Sequence, residues 1–385
     1  MLYVGLDVHP TTSTLCILDD NGKVVKRKEI KGPWPDVVAE LKRLSEPFSL
    51  CFEASCGYGW VYDRVHPLAR HVAVAHPGGL ALIFKSKRKN DRIDAGKLAK
   101  LLYLDAVPTV HVPSSGVRLW RELIEYRRRV VDRQTQVKNE IRALLRANAM
   151  KAPPGLWSKK GIQWLKEQPP SELDSLRRDL MCEELEHTRV QLKTVERKLE
   201  ELGGKHPGVK LLETIPGVGE RTAEAFVAYI DDVHRFRRNS QVGTYLGLVP
   251  CQDASAGKSR LGHITREGPA TVRGLLCEAA WVGIGRSERL RRFFERVKQG
   301  DGDRKKIAIV ATAHYLSRVM TAMLRNGEAW RELPEEKAGR AESGKAPAQA
   351  NAGGEPAQAK VARRRRSRPS ESGQEAVDTG GSYDI

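Results

Sequence analysis

Leu2-Tyr3-Val4-Gly5-Leu6-Asp7-Val8 is a short apolar run that ends near an acid, and its neighbours decide the fold. Small polar residues come next, from Thr11 to Ser13. Thr14-Leu15-Cys16-Ile17-Leu18 reads as a second strand, Asp20-Asn21-Gly22 as a hairpin turn, and Lys23-Val24-Val25 as the start of a third strand. Residues 2–28 therefore predict a β-meander. Beyond it, 35–43 has an amphipathic helical pattern. Phe48-Ser49-Leu50-Cys51-Phe52-Glu53 is a fourth strand, again ending in an acid. Residues 60–66 read as a short helix stopped by Pro67, and His71-Val72-Ala73-Val74 as a fifth strand. A helix opened by Asp91 runs to about Leu104, although Gly96 weakens it. Strands followed by alternating helix and strand predict a mixed α/β sheet in a first domain, residues 1–110.

A long helical region is expected over 111–205. Pro113-Ser114-Ser115-Gly116 punctuates the chain, and a serine there caps the next helix. Residues 117–149 then run without Pro or Gly, with Leu119, Leu123, Tyr126, Val130, Val137, Ile141 and Leu144 at helical spacing. Pro153, Pro154, Pro169 and Pro170 break residues 150–170. A second long helix is expected over 172–202. The pair predicts an antiparallel hairpin or a coiled coil between subunits, and an ordinary packed helical domain fits the stripes equally well.

Residues 206–332 read as a mainly helical unit. Ile215-Pro216-Gly217-Val218-Gly219 separates helical stretches at 209–214 and 221–230, and further helices are expected near 270–281 and 305–324. Between them a polar loop is expected from Pro250 to Gly262. Residues 333–385 are dominated by Ala, Gly, Ser, Pro, Glu and Arg, including Arg363-Arg364-Arg365-Arg366, and are expected to be a disordered basic tail.

The formal charge of +18 over 385 residues argues for a polyanionic partner, with nucleic acid first and an anionic membrane surface second. No uninterrupted apolar run is long enough to predict a transmembrane helix, and no signal peptide is expected. Six scattered cysteines form no C-x-x-C pair, which argues against a zinc site or disulfide framework and for reduced thiols. No phosphate-binding Walker loop occurs, and Gly57-Tyr58-Gly59 is too short for a dinucleotide fingerprint.

Four acids stand out. Asp7 and Glu53 lie at the ends of apolar strands, where an acid seldom goes without a partner. Asp91 and Asp94 are three residues apart and face one way on a helix. Together they could hold Mg²⁺, which takes hard oxygen ligands and accepts phosphate oxygens besides. Lys87, Arg88 and Lys89 precede the pair and suit a phosphate-bearing ligand. The Gly217–Gly219 turn resembles a helix-hairpin-helix element whose amides receive a phosphate oxygen. The small, hydroxylic and basic loop at 253–266 offers Ser255 or Ser259 as a nucleophile, with Lys258, Arg260, Arg266 and Arg273 as phosphate holders. Its composition does not separate the two serines. His9, two residues past Asp7, either touches the acids or is structural. The residues alone fit a metal-dependent recombinase, a nuclease in which the acids activate water, or a non-enzymatic nucleic-acid-binding protein.

Several of these motifs, in this order, resemble the DEDD transposases of bacterial insertion sequences, the insertion-sequence-110 family. They are Tyr3-Val4-Gly5-Leu6-Asp7-Val8, Phe52-Glu53-Ala54-Ser55, Lys89-Asn90-Asp91-Arg92-Ile93-Asp94-Ala95, Ile215-Pro216-Gly217-Val218-Gly219, Leu246-Gly247-Leu248-Val249-Pro250 and the segment from Gly257 to Thr265. The resemblance implies an RNase-H-type, RuvC-like first domain whose acidic tetrad is Asp7, Glu53, Asp91 and Asp94. It also implies a C-terminal domain whose serine forms a phosphoserine link to DNA; Ser255 matches that position best and Ser259 second. A composite site between subunits of a tetramer, a structured guide RNA, and action on double-stranded DNA in the bacterial cytoplasm, at the nucleoid, are implied too. Arg266-Glu267-Gly268-Pro269 departs from the family's usual Lys-x-Gly-Asn; the charge is kept and an amide is lost.

Overall fold

The computed structural model describes residues 1–55, 57–83, 91–168, 171–255 and 258–332. Its first part is a five-stranded sheet in the order β3-β2-β1-β4-β5, built from β1 (Leu2–Asp7), β2 (Thr12–Leu18), β3 (Val24–Lys31), β4 (Phe48–Glu53) and β5 (His71–Ala75). β1 runs antiparallel to β2 and parallel to β4, and β4 runs parallel to β5. The turn into β3 forms because Asp19 Oδ1 accepts from the amides of Asn21 (3.0 Å) and Lys23 (2.8 Å), while Gly22 takes the left-handed conformation.

Strand alternation gives the sheet two apolar faces. Val4, Leu6, Leu15, Ile17, Leu50 and Phe52 are buried on one, beneath α1 (Trp34–Lys42) and α2 (Tyr58–Val65). Cys16, Leu18, Cys51, Ala73 and Ala75 are buried on the other, against Ala95, Leu98, Ala99 and Leu102 of α4 (Asp91–Tyr103). The short α3 (Pro77–Ile83), which no pattern in the sequence predicts, comes after β5. Buried Glu40 of α1 is clamped by Lys26 (2.9 Å) and Lys28 (2.8 Å) of β3, and those two lysines hold its carboxyl down to about 2.

The long helices are α5 (Ser115–Ala147) and α7 (Glu172–Gly203), with Ser114 and Ser171 as N-caps. They pair antiparallel within the chain: Arg127 bonds Glu196, Arg133 bonds Glu184 and Asn148 bonds Asp174, so rising positions on α5 meet falling positions on α7. The connection is not simply broken. It holds α6 (Lys159–Glu167), capped by Ser158, and Leu165 inserts under the hairpin with Val137, Ile141 and Leu185. The prolines lie outside this helix at both ends.

The remaining elements are α8 (Pro207–Glu213), α9 (Glu220–Ile230), α10 (Ser240–Tyr245), the hairpin β6 (Pro250–Ser255) and β7 (Lys258–Ile264), α11 (Ala270–Ile284), α12 (Glu288–Lys298) and α13 (Lys305–Asn326). The helices among them share one core with Trp120 and Ile124 of α5 and Val195 and Leu199 of α7. One expectation is corrected here, and one helix is added. The loop after Pro250 is a two-stranded ladder, and α12 is a helix that the sequence pattern does not predict. α13 is long and apolar enough to cross a membrane by composition, but half of that stretch is buried in this core. The expected disordered tail lies outside the described residues.

Candidate active site

Gly5 places the acids. A Cβ built there would lie 2.1 Å from the carbonyl oxygen of Ala95 and 2.4 Å from the amide nitrogen of Ala99. The backbone of α4 therefore rests directly on β1, which only glycine permits, and Ala95 and Ala99 keep the helix's own surface flat. Tyr3 meets Tyr103 edge-to-face at 5.3 Å, which fixes the direction: α4 descends as β1 climbs. From Gly5 to Asp7 the strand rises about 6.8 Å, the length of roughly 4.5 helical residues. Asp7 is thus level with the helix start, where Asp91 and Asp94 stand. Leu6 is in register with Phe52, so Asp7 and Glu53 are the next residues on neighbouring strands. Both share the α4 face with Gly5 and Cys51. The topology thus brings Asp7, Glu53 and the first turn of α4 to one sheet edge.

A lysine and a histidine stand beside them. Lys97 Nζ lies 2.8 Å from Asp94 Oδ1, one helical turn on. His9 Nε2 lies 3.5 Å from Asp7 Oδ1, and the His9 carbonyl accepts from the Trp34 indole at 3.0 Å. Lys97 was missed in the sequence, although its i, i+3 spacing from Asp94 was readable. Glu53 is exposed. Among the described residues no three His, Cys, Asp or Glu side chains converge closely enough to hold an ion, and the side chain of Asp91 lies outside them. The donors are nonetheless all carboxylate oxygens, the set a hard divalent cation takes, and a cation, Lys97, already stands beside one of them. The residues fit such an ion by donor type. Lys87, Arg88 and Lys89 lie outside the described residues.

The candidate serines stand on the β6–β7 hairpin. Its base is held backbone to backbone. A Cβ on Gly247 would lie 2.2 Å from the Glu267 carbonyl, and one on Gly268 would lie 2.0 Å from the Tyr245 carbonyl. Arg273 staples the same corner, donating from Nη1 to the carbonyls of Leu246 and Glu267, each at 3.0 Å. Arg273 was expected to hold phosphate; its guanidinium is engaged here with backbone. In the ladder, position 255 pairs with 258 and 253 with 260, whereas 259 pairs with 254 and 261 with 252. Directly opposed positions share a face and successive ones alternate. Position 255 therefore falls with Asp253, Lys258 and Arg260, and position 259 with Ala254, Gln252 and Leu261. Arg260 and Arg266 are exposed.

Gly217 has φ +96°, and a Cβ there would meet the Gly283 amide at 2.5 Å and the Ala279 carbonyl at 2.7 Å. Packing against α11 alone demands that glycine. Gly219, by contrast, is open and caps α9.

A strongly basic chain with acids gathered at a sheet edge and serines on a basic ribbon has the parts of a DNA-cleaving and rejoining enzyme, and comparison with known proteins identifies that class as the transposases. A family model for DEDD transposases matches residues 4–149, and one described as "Transposase IS116/IS110/IS902 family" matches residues 209–295. The transposase of insertion sequence element IS1111A of Coxiella burnetii is 28% identical over 288 residues, covering 72% of this chain and 76% of the relative. That of IS1328 of Yersinia enterocolitica is 23% identical over 293 residues, covering 74% of this chain and 84% of the relative. The chain belongs to the IS110 family of transposases. The first match spans the four acids and the second spans both serines. Membership implies a DNA substrate and a divalent metal ion.

Proposed function

We propose that this transposase mobilises an insertion sequence through a phosphoserine intermediate, with Asp7, Glu53, Asp91 and Asp94 as Mg²⁺ ligands in an RNase-H-type, RuvC-like domain spanning 1–110. The observation that carries the reading is the contact of Gly5 with Ala95 and Ala99, because it brings the helix start bearing two acids to the strand ends bearing the other two. The strand order supports it, since parallel neighbours β1 and β4 put Asp7 and Glu53 side by side. Mg²⁺ bound there would neutralise charge on the phosphate under attack.

Ser255 is the nucleophile. Its Oγ attacks phosphorus; the Oγ–P bond forms as the bond from phosphorus to a deoxyribose oxygen breaks, and the released hydroxyl takes a proton. In rejoining, a hydroxyl of the second strand attacks the phosphoserine, the Oγ–P bond breaks and the serine regains its proton. The ladder register supports Ser255 over Ser259, because position 255 shares its parity with two cations that can bind the phosphate. Residues 206–332 act as the serine-bearing domain, with Lys258, Arg260, Arg266, Gly217, Gly219 and Lys87 to Lys89 as nucleic-acid contacts and Arg273 pinning the base of the hairpin. The 111–205 hairpin would join subunits into a dimer or tetramer, and a structured RNA of the element would select the double-stranded target in the cytoplasm, at the nucleoid.

Trapping the covalent protein–DNA adduct tests the chemistry. Ser255→Ala is expected to lose the adduct and strand cleavage, and Ser259→Ala to keep both. Normal cleavage without an adduct in Ser255→Ala would leave a nuclease that uses water, and the reverse pattern would move the nucleophile to Ser259.

A further inference from the structure

The outer face of α12 carries Arg289, Arg292, Phe293 and Arg296 at i, i+3, i+4 and i+7, a single helical stripe. It borders a groove of about 290 Å³ whose far wall is Tyr315 of α13. The Phe293 and Tyr315 rings stack at 4.5 Å, 15° from parallel. Arg296 rests over Phe293 at 5.0 Å. Arg289 rests over Tyr315 at 5.7 Å and donates from Nε to its hydroxyl at 2.6 Å. Exposed Arg318 lies one turn on from Tyr315.

Arg292, Arg296 and Arg318 differ from the arginines that hold the fold together, whereas Arg289 also donates from Nη1 to the Arg331 carbonyl at 3.2 Å. Arg273, Arg325 and Arg235 end on backbone carbonyls. Arg292 is paired with Glu288 at 2.8 Å, but among the described residues Arg296 and Arg318 have no ion-pair partner. A guanidinium laid on an aromatic ring is already oriented, so it loses little freedom when an acceptor arrives. The stripe from Arg289 to Arg296 spans about 10.5 Å along the helix, at 1.5 Å per residue. It thus meets an extended run of anions rather than a single one.

We infer that this α12–α13 face is a contact for the phosphodiester backbone of double-stranded DNA, separate from the acids and from the serine hairpin and independent of the chemistry proposed for them. DNA is chosen because it is the polyanion on which this family acts. The stacked rings are half-buried and each has an arginine over it, which suits backbone contact rather than base stacking.

The test is the binding of the full chain to a short fluorescein-labelled DNA duplex of arbitrary sequence, by anisotropy across a NaCl series. Arg292→Gln/Arg296→Gln is compared with Lys159→Gln/Lys160→Gln, which makes the same charge change on exposed residues of α6. The first pair is expected to weaken binding roughly tenfold and to reduce the log–log salt slope by about two, one for each phosphate contact. The second pair should change the slope by less than half as much. Circular dichroism melting checks that both variants fold. Equal effects of the two pairs would overturn the assignment and leave only net charge. Unchanged duplex binding, with loss confined to a folded RNA probe, would overturn it as a DNA contact.

Discussion

Gly5→Ala places one methyl group where α4 crosses β1. The new carbon would sit 2.1 Å from the Ala95 oxygen and 2.4 Å from the Ala99 nitrogen, and both are backbone atoms that no side-chain rotation can move. An ordinary contact needs roughly an ångström more, so the helix must retreat by about that distance, at an overpacking cost of about 1–3 kcal/mol. The same movement carries the first turn of α4, with Asp91 and Asp94, away from Asp7 and Glu53. Misplacement by about 1 Å is worth on the order of 10²-fold in rate. Gly5→Ala is therefore expected to fold with a lowered melting temperature, to bind duplex DNA within about threefold of the parent, and to cleave on the order of 10²-fold more slowly. Gly96→Ala is the control one residue from that contact. Its Cβ meets nothing nearer than Arg27 Nη2 at 3.8 Å and Cys16 Sγ at 3.9 Å. It should stabilise the helix by about 0.5–1 kcal/mol and leave cleavage near normal. A folded Gly5→Ala protein with full cleavage activity would show that the acids do not depend on this crossing.

Lys97→Met removes the ammonium beside Asp94; the divalent concentration for half-maximal cleavage should fall several-fold because a competing cation is gone, and a metal titration reads this directly. Arg273→Ala unpins the base of the serine hairpin and is expected to slow cleavage by about tenfold while duplex binding holds, as paired cleavage and anisotropy assays would show. Glu40 contributes through its pairs with Lys26 and Lys28, which lower its carboxyl from 4.5 to about 2. That stability is complete above the unfolded value and is lost as pH falls toward 2. Because the lysines are 46% and 41% exposed, it amounts to about 1 kcal/mol. Melting curves of Glu40→Gln should accordingly vary less with pH than the parent's between about 4.5 and 2.

The sheet was legible because its strands are short apolar runs that end at Asp-Asn-Gly, Pro or acid signals. Phe48–Glu53 was read to the residue, and the helix from Asp91 fell one residue short of the expected end. The long helices were legible from sustained periodicity, with a serine of Pro113-Ser114-Ser115-Gly116 expected as a cap and Ser114 found in that place. The misses share a physical cause. α6, α12 and α3 are 9, 11 and 7 residues long. The prolines around α6 and the density of charge on α12 hid their stripes, and tertiary partners such as Ile141 and Leu185 for Leu165, or Tyr315 for Phe293, supply what local propensity lacks. The hairpin was hidden for a different reason. Its ladder is a backbone interaction, and Asp253 to Gly262 has the small polar composition of a linker whether or not it pairs. Of the candidate site, the residue types and their spacing were readable. Their gathering at one sheet edge was expected as well, but the contact that brings the start of α4 to the strand ends was not, because it rests on Gly5, whose role is invisible until α4 lies across it.

The two halves of the proposed chemistry are held to different tolerances. The acids depend on a backbone-on-backbone crossing with no slack: Gly5, Ala95 and Ala99 leave no side chain that could yield. The serine sits near the end of a two-stranded ribbon, and such a ribbon is marginal by itself in water. Its stability comes from the base, where Gly247 and Gly268 let two turns touch and Arg273 ties both to one guanidinium. The base lies in the core formed by α8 to α13 with the ends of α5 and α7, and the acids lie over the sheet. A nucleophile that must reach a phosphorus atom, release it and present it to a second strand gains from being carried separately from a rigid metal-binding edge. Departures at Arg266-Glu267-Gly268-Pro269 therefore bear on the nucleophile's reach rather than on the metal. The carbonyl of Glu267 and the glycine at 268 are the atoms that seat the ribbon, and neither depends on the amide that this chain lacks at position 269.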